Sequence, residues 1–276
     1  MMSIGYAVMA YLILSLKGAK FMNQTIQTQL NHRSIRKYTD QAISREILET
    51  LFSVANQTAS STGAQSFSII HITDVQKKQQ IAEICKQAYV ATMPELVIFV
   101  ADAYRNAKIV EEQGCTHNGK KDMDRFFQAF TDGCLAAQNM TTAIESLGLG
   151  AVYLGSILNN AEEIIKILNL PQLTFPIVGI GFGYPAEEPA LKPRMATNLK
   201  VFENSYQKQE NYLEAIKDYD AIMKTYYDLR DTTKALPAFS NQLVNRLENT
   251  NPMRTTLLQT LQKQGFYLNV NSKIDD

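Results

Sequence analysis

Two periodicities of apolar positions alternate along the chain, and they predict helices interleaved with short buried strands. Residues 23–30 read as a short helix running into a polar cluster, NHRSIRKYTD. Ser44 is placed to cap a helix reaching Asn56, with Ile47, Leu48, Leu51, Phe52 and Ala55 on one stripe. Residues 58–66 (TASSTGAQS) are small and polar, which predicts a loop. Residues 67–73 (FSIIHIT) and 96–101 (LVIFVA) are short, apolar and β-branched, as buried strands are, with a helix from about Asp74 between them. The longest helical pattern covers 123–147, through Phe126, Phe127, Phe130, Cys134, Leu135, Ile144 and Leu147. Its apolar residues nearly encircle it, which predicts burial in a core or a subunit interface, and Gly148 follows as a C-cap. A strand over 151–154, a helix over 160–168 stopped before Pro171, and a strand over 176–182 come next. After Lys200 the pattern is helical again, apart from a proline-interrupted stretch at 231–241. Without a regular βα alternation the expected class is α+β, as one domain closed by a long C-terminal excursion.

The beginning of the chain stands apart from this pattern. Residues 7–16 (AVMAYLILSL) form an apolar run of ten, followed by Lys17 and Lys20. A membrane span needs about 20 apolar residues, and the run lacks the basic lead and small-residue cleavage site of a secretory signal. The expectation is an extension, 1–21, outside the core, with Met22 as the functional start. A weak membrane or partner anchor is the alternative.

Composition removes several function classes. Lysine and arginine number 27 against 27 acidic residues, a formal net charge of zero, whereas a dedicated nucleic-acid binder needs a basic excess. Three cysteines (Cys85, Cys115, Cys134) at irregular spacing give neither a disulfide framework nor a zinc motif, which fits a reducing, cytoplasmic setting. His32, His71 and His117 are scattered, so no metal site is expected. No GxSxG or HExxH occurs, and Cys134 on its apolar helix reads as a packed small hydrophobe. If the chain is an enzyme, a cofactor carries the chemistry.

Three clusters could hold one. His32-Arg33-Ser34-x-Arg36 gathers two guanidinium forks and a hydroxyl, which suit phosphate oxygens; a solvated basic turn is the alternative. Leu191-Lys192-Pro193-Arg194 is a second basic group on an extended backbone, or a plain surface loop. In ESLGLGAVYLGS (145–156) the glycines follow a helix and open a strand, the reverse of a dinucleotide-binding fingerprint. Gly155 and Ser156 are suited to close backbone approach by a flat ligand, or to a tight connection.

In this order and spacing, NHRSIRKYTDQAIS, AAQNM at 136–140, ESLGLGAVYLG, LNN at 158–160, GFGYPAEEPALKPR and ENSYQ closely resemble the FMN-dependent nitroreductase family. The match is to its subgroup of NADPH:FMN oxidoreductases and oxygen-insensitive major nitroreductases, and it runs from about Met22 to Tyr206, more loosely beyond. The resemblance implies a nitroreductase-like three-layer α+β fold, with a central mixed, mostly antiparallel sheet flanked by helices. It also implies an intertwined homodimer with FMN at each interface and a C-terminal arm from about 200. By motif, Arg33, Ser34, Lys192 and Arg194 are expected on the FMN phosphate with His32 nearby, and Arg36 at the N1/O2 edge. Gln87 is expected on the pyrimidine edge, and Tyr153, Leu154, Gly155 and Ser156 along the isoalloxazine. Ser60, Ser61, Thr62 and Gln65 are expected from the other subunit. The implied activity is a ping-pong cycle in which a nicotinamide nucleotide reduces FMN, which then reduces a nitroaromatic, a quinone or free flavin. A non-catalytic flavin carrier or sensor is the alternative. The chain departs from the pattern at Ser156, often glycine in relatives, and at Leu158, often arginine. Where relatives carry an arginine before a TWSD-like motif, it has Lys234 and Phe239, which leaves NADPH and NADH both open as reductant.

Overall fold

The computed structural model describes residues 22–267 apart from 117 and 227–234. The expectations for 1–21, for His117 and for Lys234 lie outside the described residues. In chain order the helices are α1 (Gln24–Leu30), α2 (Arg45–Asn56), α3 (Val75–Cys85), α4 (Ala103–Glu112), α5 (Met123–Ser146), α6 (Ala161–Ile167), α7 (Tyr212–Ala215), α8 (Lys217–Met223), α9 (Phe239–Glu248) and α10 (Leu257–Lys263). The strands are β1 (Phe67–His71), β2 (Glu95–Asp102), β3 (Gly150–Leu154) and β4 (Thr174–Gly183), in the spatial order β1-β2-β4-β3. Every ladder is antiparallel. The mixed character comes from one parallel bridge, Ser34 to Ala151.

Alternation along the central strands sorts the core into two layers. Val97, Phe99 and Ala101 of β2 face α5, with Met140, Ile144, Phe175 and Ile177. Leu96, Ile98 and Val100 face the other way, onto Ile81, Val152, Leu154 and Ile164. Seven of the eight β2 residues are buried, as a strand covered on both faces requires. The cap foreseen at Ser44 forms, accepting from the Ile47 amide at 3.3 Å, and the helix expected from about Asp74 is capped by Asp74 itself, which accepts the Lys77 amide at 2.9 Å. Helix α4 was not foreseen. It buries only Ala103 and Ala107 and starts directly off β2, with Asp102 accepting the Arg105 amide at 3.0 Å. Two alanines make too faint a stripe to read.

Helix α5 corrects one expectation. One face is buried through Phe126, Ala129, Ala136, Met140 and Ile144, while Phe127 (61% exposed), Leu135 (48%) and Cys134 lie open on the other. Apolar residues circle the helix, but a single protomer covers half of it, so Cys134 is not packed inside the protomer.

Beyond residue 200 the chain folds back. Phe266 is buried against Phe126, ring centroids 5.3 Å apart, and Leu173 donates its amide to the Gln264 carbonyl at 2.7 Å. Lys263 of α10 pairs with Glu162 of α6 at 2.5 Å. Asp220 of α8 caps α9, accepting the Ser240 amide at 2.9 Å and its hydroxyl at 2.6 Å. Helix α9 itself buries nothing, and its Leu247 is 79% exposed.

Two measurements test this framework. A Cβ at Gly150 would stand 2.5 Å from Ile35 Cγ1, on the side chain that seats the 33–36 segment along β3 through the Ile35 amide and Ala151 carbonyl, 2.9 Å. Gly150→Ala is expected to cost about 1–3 kcal/mol in urea unfolding, and an unchanged midpoint would refute the close packing. Separately, Lys263 holds the Glu162 carboxyl below its usual range. At Asp220 burial pushes upward, but the Ser240 hydrogen bonds outweigh it and hold that carboxyl low as well. Depressed folded-state values stabilise above about pH 4 and are lost as pH falls through them. A Glu162→Gln, Asp220→Asn variant is therefore expected to lose melting temperature less steeply than the parent between about pH 5 and pH 3; parallel slopes would contradict this.

Candidate functional site

After α1 the chain runs as an extended strap, 33–39, between two neighbours. On one side Ser34 bridges Ala151 at the start of β3. On the other, the strap lies antiparallel to 184–189, the continuation of β4. Thr39 donates to Tyr184 and Lys37 accepts from Ala186, both at 2.9 Å, and Tyr38 bridges Pro185. Glu187 accepts the Arg36 amide at 2.7 Å and the Lys37 amide at 3.2 Å. Arg33 Nε donates to the Pro189 carbonyl at 2.8 Å. Tyr38 staples the arrangement from beneath, its hydroxyl on the Ile35 and Gly181 carbonyls at 2.6 and 3.1 Å, and burial drives its acidity far below that of a free phenol.

This geometry brings the two basic clusters to one edge. Arg33 touches a carbonyl three residues before Lys192, and Lys192 and Arg194 are exposed on the same continuing segment. Arg194 lies along its own backbone, Nη1 to the Lys192 carbonyl at 3.3 Å, and Tyr219 of α8 holds the Pro193 carbonyl at 3.4 Å. His32 Nδ1 pairs with Glu145 near the end of α5 at 2.5 Å, and Arg36 Nη1 rests on the Ser34 carbonyl at 3.5 Å. A cleft of about 670 Å³ opens beside Arg33, walled in part by Asn31, Glu145, Gly150 and Glu187.

The second group forms at the far end of β3, about 13 Å along the strand. Ser156 Oγ donates to Gln87 Oε1 at 3.3 Å, and Tyr89 donates to the same oxygen at 2.9 Å. Gly155 is exposed, and a Cβ built there meets nothing within 4 Å, so bare backbone borders open space. Tyr153 is half-buried with its hydroxyl on Gln138 at 3.1 Å, and burial pushes its pKa up. Leu154 departs from expectation: its side chain is 1% exposed and packs under Gly179, so only its backbone can face a ligand.

Ser60, Ser61, Thr62 and Gln65 do not join either group. Their segment is held near the middle of α5, where Asp132 accepts the Ser61 amide at 2.7 Å. Glu145, which anchors His32, lies thirteen residues further along the same helix, about 20 Å away.

Three contributors escaped the sequence reading. Glu187 sat inside a recognised motif with no role assigned. Asp132 carried a usable signal, an acid at the buried phase of an apolar helix. Arg254 gave none; the arm brings its Nη1 to the Gly155 carbonyl at 3.0 Å.

Comparison with known proteins gives one consistent answer. The model of the nitroreductase family matches residues 30–184, and that of the nitroreductase family C-terminal domain matches 192–269. An FMN reductase (NADPH) of Bacillus subtilis is 34% identical over 252 residues, 90% of this chain and 100% of that protein. An oxygen-insensitive NADPH nitroreductase of Salmonella typhimurium is 35% identical over 246 residues, 89% and 99% of the two chains. The solved NADPH:FMN oxidoreductase of Vibrio harveyi in complex with NAD+ superposes with a TM-score of 0.78 at 31% identity, covering 90% of this chain and 100% of its own.

Removing the Glu187 carboxylate leaves two strap amides without an acceptor. Glu187→Ala is expected to cost about 1–3 kcal/mol in denaturant unfolding, with exposed Glu188→Ala as a near-neutral control; equal effects would show that the strap does not depend on Glu187.

Proposed function

The chain belongs to the nitroreductase family, and from that premise we propose that it is an FMN-dependent oxidoreductase, reduced by NADPH or NADH, that reduces flat acceptors such as nitroaromatics, quinones or free flavin. The observation that carries the reading is the seat of Arg33 on the Pro189 carbonyl, which gathers two chain-distant basic segments at one edge. The residues present suit FMN. Arg33, Ser34, Lys192 and Arg194 would hold the phosphate with His32 beside them, since guanidinium and ammonium donors form the strongest bonds to phosphate oxygens. Gln87 and the open backbone at Gly155 and Ser156 would border the ring, where a side chain at 155 would otherwise project. The chemistry supplied by bound FMN is transfer of a hydride from the nicotinamide nucleotide to the acceptor. Arg36 would set a fixed positive charge at the pyrimidine edge, which favours electron uptake there. Arg254, drawn onto Gly155 by the arm, would close one side of the ring site and limit the entry of water.

A homodimer completes the site in this reading. Two features support it: the open apolar face of α5 and helix α9, which buries none of its residues in the protomer. The position of the Ser60–Thr62 hydroxyls, remote from the Arg33 cluster of their own chain, supports supply from the second copy. Residues 22–276 are taken as one FMN-binding unit with its arm from about 200, and 1–21 as an extension. No helix among the described residues is long and apolar enough to cross a membrane; we assign the protein to the cytoplasm on its cysteine usage.

The test is an absorption spectrum of the purified protein before and after anaerobic NADPH, then NADH. A yellow protein that bleaches at once is expected; a yellow one that keeps its colour is a carrier, and a colourless one ends the reading. Arg36→Ala is expected to weaken FMN binding about tenfold or more and to slow bleaching, so parent-like affinity and rate would contradict its role.

A further inference from the structure

Asp132 is a charged side chain that the function above leaves unused. It is 1% exposed, in the middle of α5, and has no cationic partner among the described residues. A buried carboxylate is costly unless donors fill its oxygens, and an apolar residue of similar size would pack there more cheaply. What only a carboxylate supplies is a pair of acceptors. Both are taken by one segment: Oδ1 accepts the Ser61 amide at 2.7 Å and Oδ2 the Ser66 amide at 3.4 Å.

The two amides mark the ends of a segment whose interior is unusual. Thr62, Gly63 and Gln65 take positive φ angles of 51°, 70° and 51°, a conformation that residues other than glycine resist. Helix α4 holds the same segment from its other side. Asn106 donates to the Ala64 carbonyl at 2.8 Å and the Ser66 hydroxyl at 3.0 Å, and Arg105 donates to the Gln65 and Phe67 carbonyls. Backbone groups are thereby drawn inward. The hydroxyls of Ser60, Ser61 and Thr62 are left without partners among the described residues, and Thr62 and Gln65 are exposed.

We propose that Asp132 is a positioning residue whose carboxylate shapes 60–66 before cofactor arrives, so that the Ser60, Ser61 and Thr62 hydroxyls stand ready for the FMN held by a second copy of this chain. FMN retention in one protomer then depends on the carboxylate in the other. The inference rests on the FMN and homodimer reading above. Preorganisation gives the affinity, because an unclamped segment would have to leave its relaxed conformations on binding.

Asp132→Asn keeps the volume but sets an NH2 group against one of the two amides, and Asp132→Leu removes both acceptors. Asn106→Leu loosens the same segment from α4, which keeps the test open should either Asp132 variant fail to fold. In each the FMN dissociation constant is expected to rise about tenfold or more, with helical circular dichroism at the assay temperature close to that of the parent. Unchanged FMN affinity in all three would overturn the proposal. The decisive arm mixes protomers carrying Arg33→Ala with protomers carrying Asp132→Asn and isolates the mixed dimer. Action across the interface puts both lesions in one site and none in the other, so half the sites bind FMN with parental affinity. Action within one protomer puts one lesion in every site, and the absence of any parental site overturns the inference. A parent protein that binds no FMN at all sinks the function itself, which this arm keeps separate.

Discussion

The structure depends on the pairing of two backbone segments that lie about 150 residues apart, the strap at 33–39 and the extension of β4 at 184–189. Strand β4 is central in the sheet and buried on both faces, so its exit direction is set by the core. The strap has no such core of its own. It is held by β3 through Ile35, by 184–186 through backbone bonds, and by Glu187, whose carboxylate caps two of its amides. Backbone groups take up this pairing, which leaves the side chains of Arg33 and Arg36 to project from a fixed frame. A basic loop of the same composition without that frame would be a solvated turn, the alternative reading that composition alone could not dismiss.

Most of the scaffold was legible because its signals are strong and local. Continuous β-branched runs marked β1 and β2, the cap residue Ser44 marked the start of α2, the start of α3 was read to within a residue or so of Asp74, and Gly148 ended α5 at a φ of +76°. Helix α4 was missed because it packs through alanines. Within the candidate site, local side-chain chemistry pointed only to 32–36, 153–156 and 192–194, whereas Gln87 and the segment with Ser60, Ser61, Thr62 and Gln65 were expected from the family resemblance alone. Arg254 and Asp132 act through contacts 99 and 71 residues away, with no local pattern to announce them. Leu154 shows how a motif hides side-chain direction. Its motif neighbours do border open space, but strand alternation turns Leu154 itself into the core.

Helix α5 sets the distances. Its buried stripe fixes it on the sheet, its end anchors His32 through Glu145, and its middle anchors the serine segment through Asp132. A rigid helix cannot shorten the roughly 20 Å between those anchors, so one chain cannot bring its serine segment to its own Arg33 cluster. The exposed stripe of Phe127, Cys134 and Leu135 runs along the same helix. Burying that stripe against a second copy relieves an unfavourable apolar surface and, in the proposed function, brings the missing hydroxyls to the phosphate. Assembly and site completion are then one event, driven by the same surface.

The replacement of a frequent arginine by Leu158 fits this economy of charge. Leu158 lies between the two core layers, half-buried and in contact with both. A guanidinium at that position would have to leave the core to reach water or a ligand, because an unpaired charge there is strongly disfavoured. Leucine instead adds to the packing beneath the turn that carries Gly155 and Ser156, stiffening the backbone proposed to face the ring. Positive charge near that turn comes from Arg254 of the arm, which rests on the Gly155 carbonyl. The cation near the turn is thereby carried by the arm and not by the core. Any effect of charge on electron transfer at this site is consequently tied to how firmly the arm is seated.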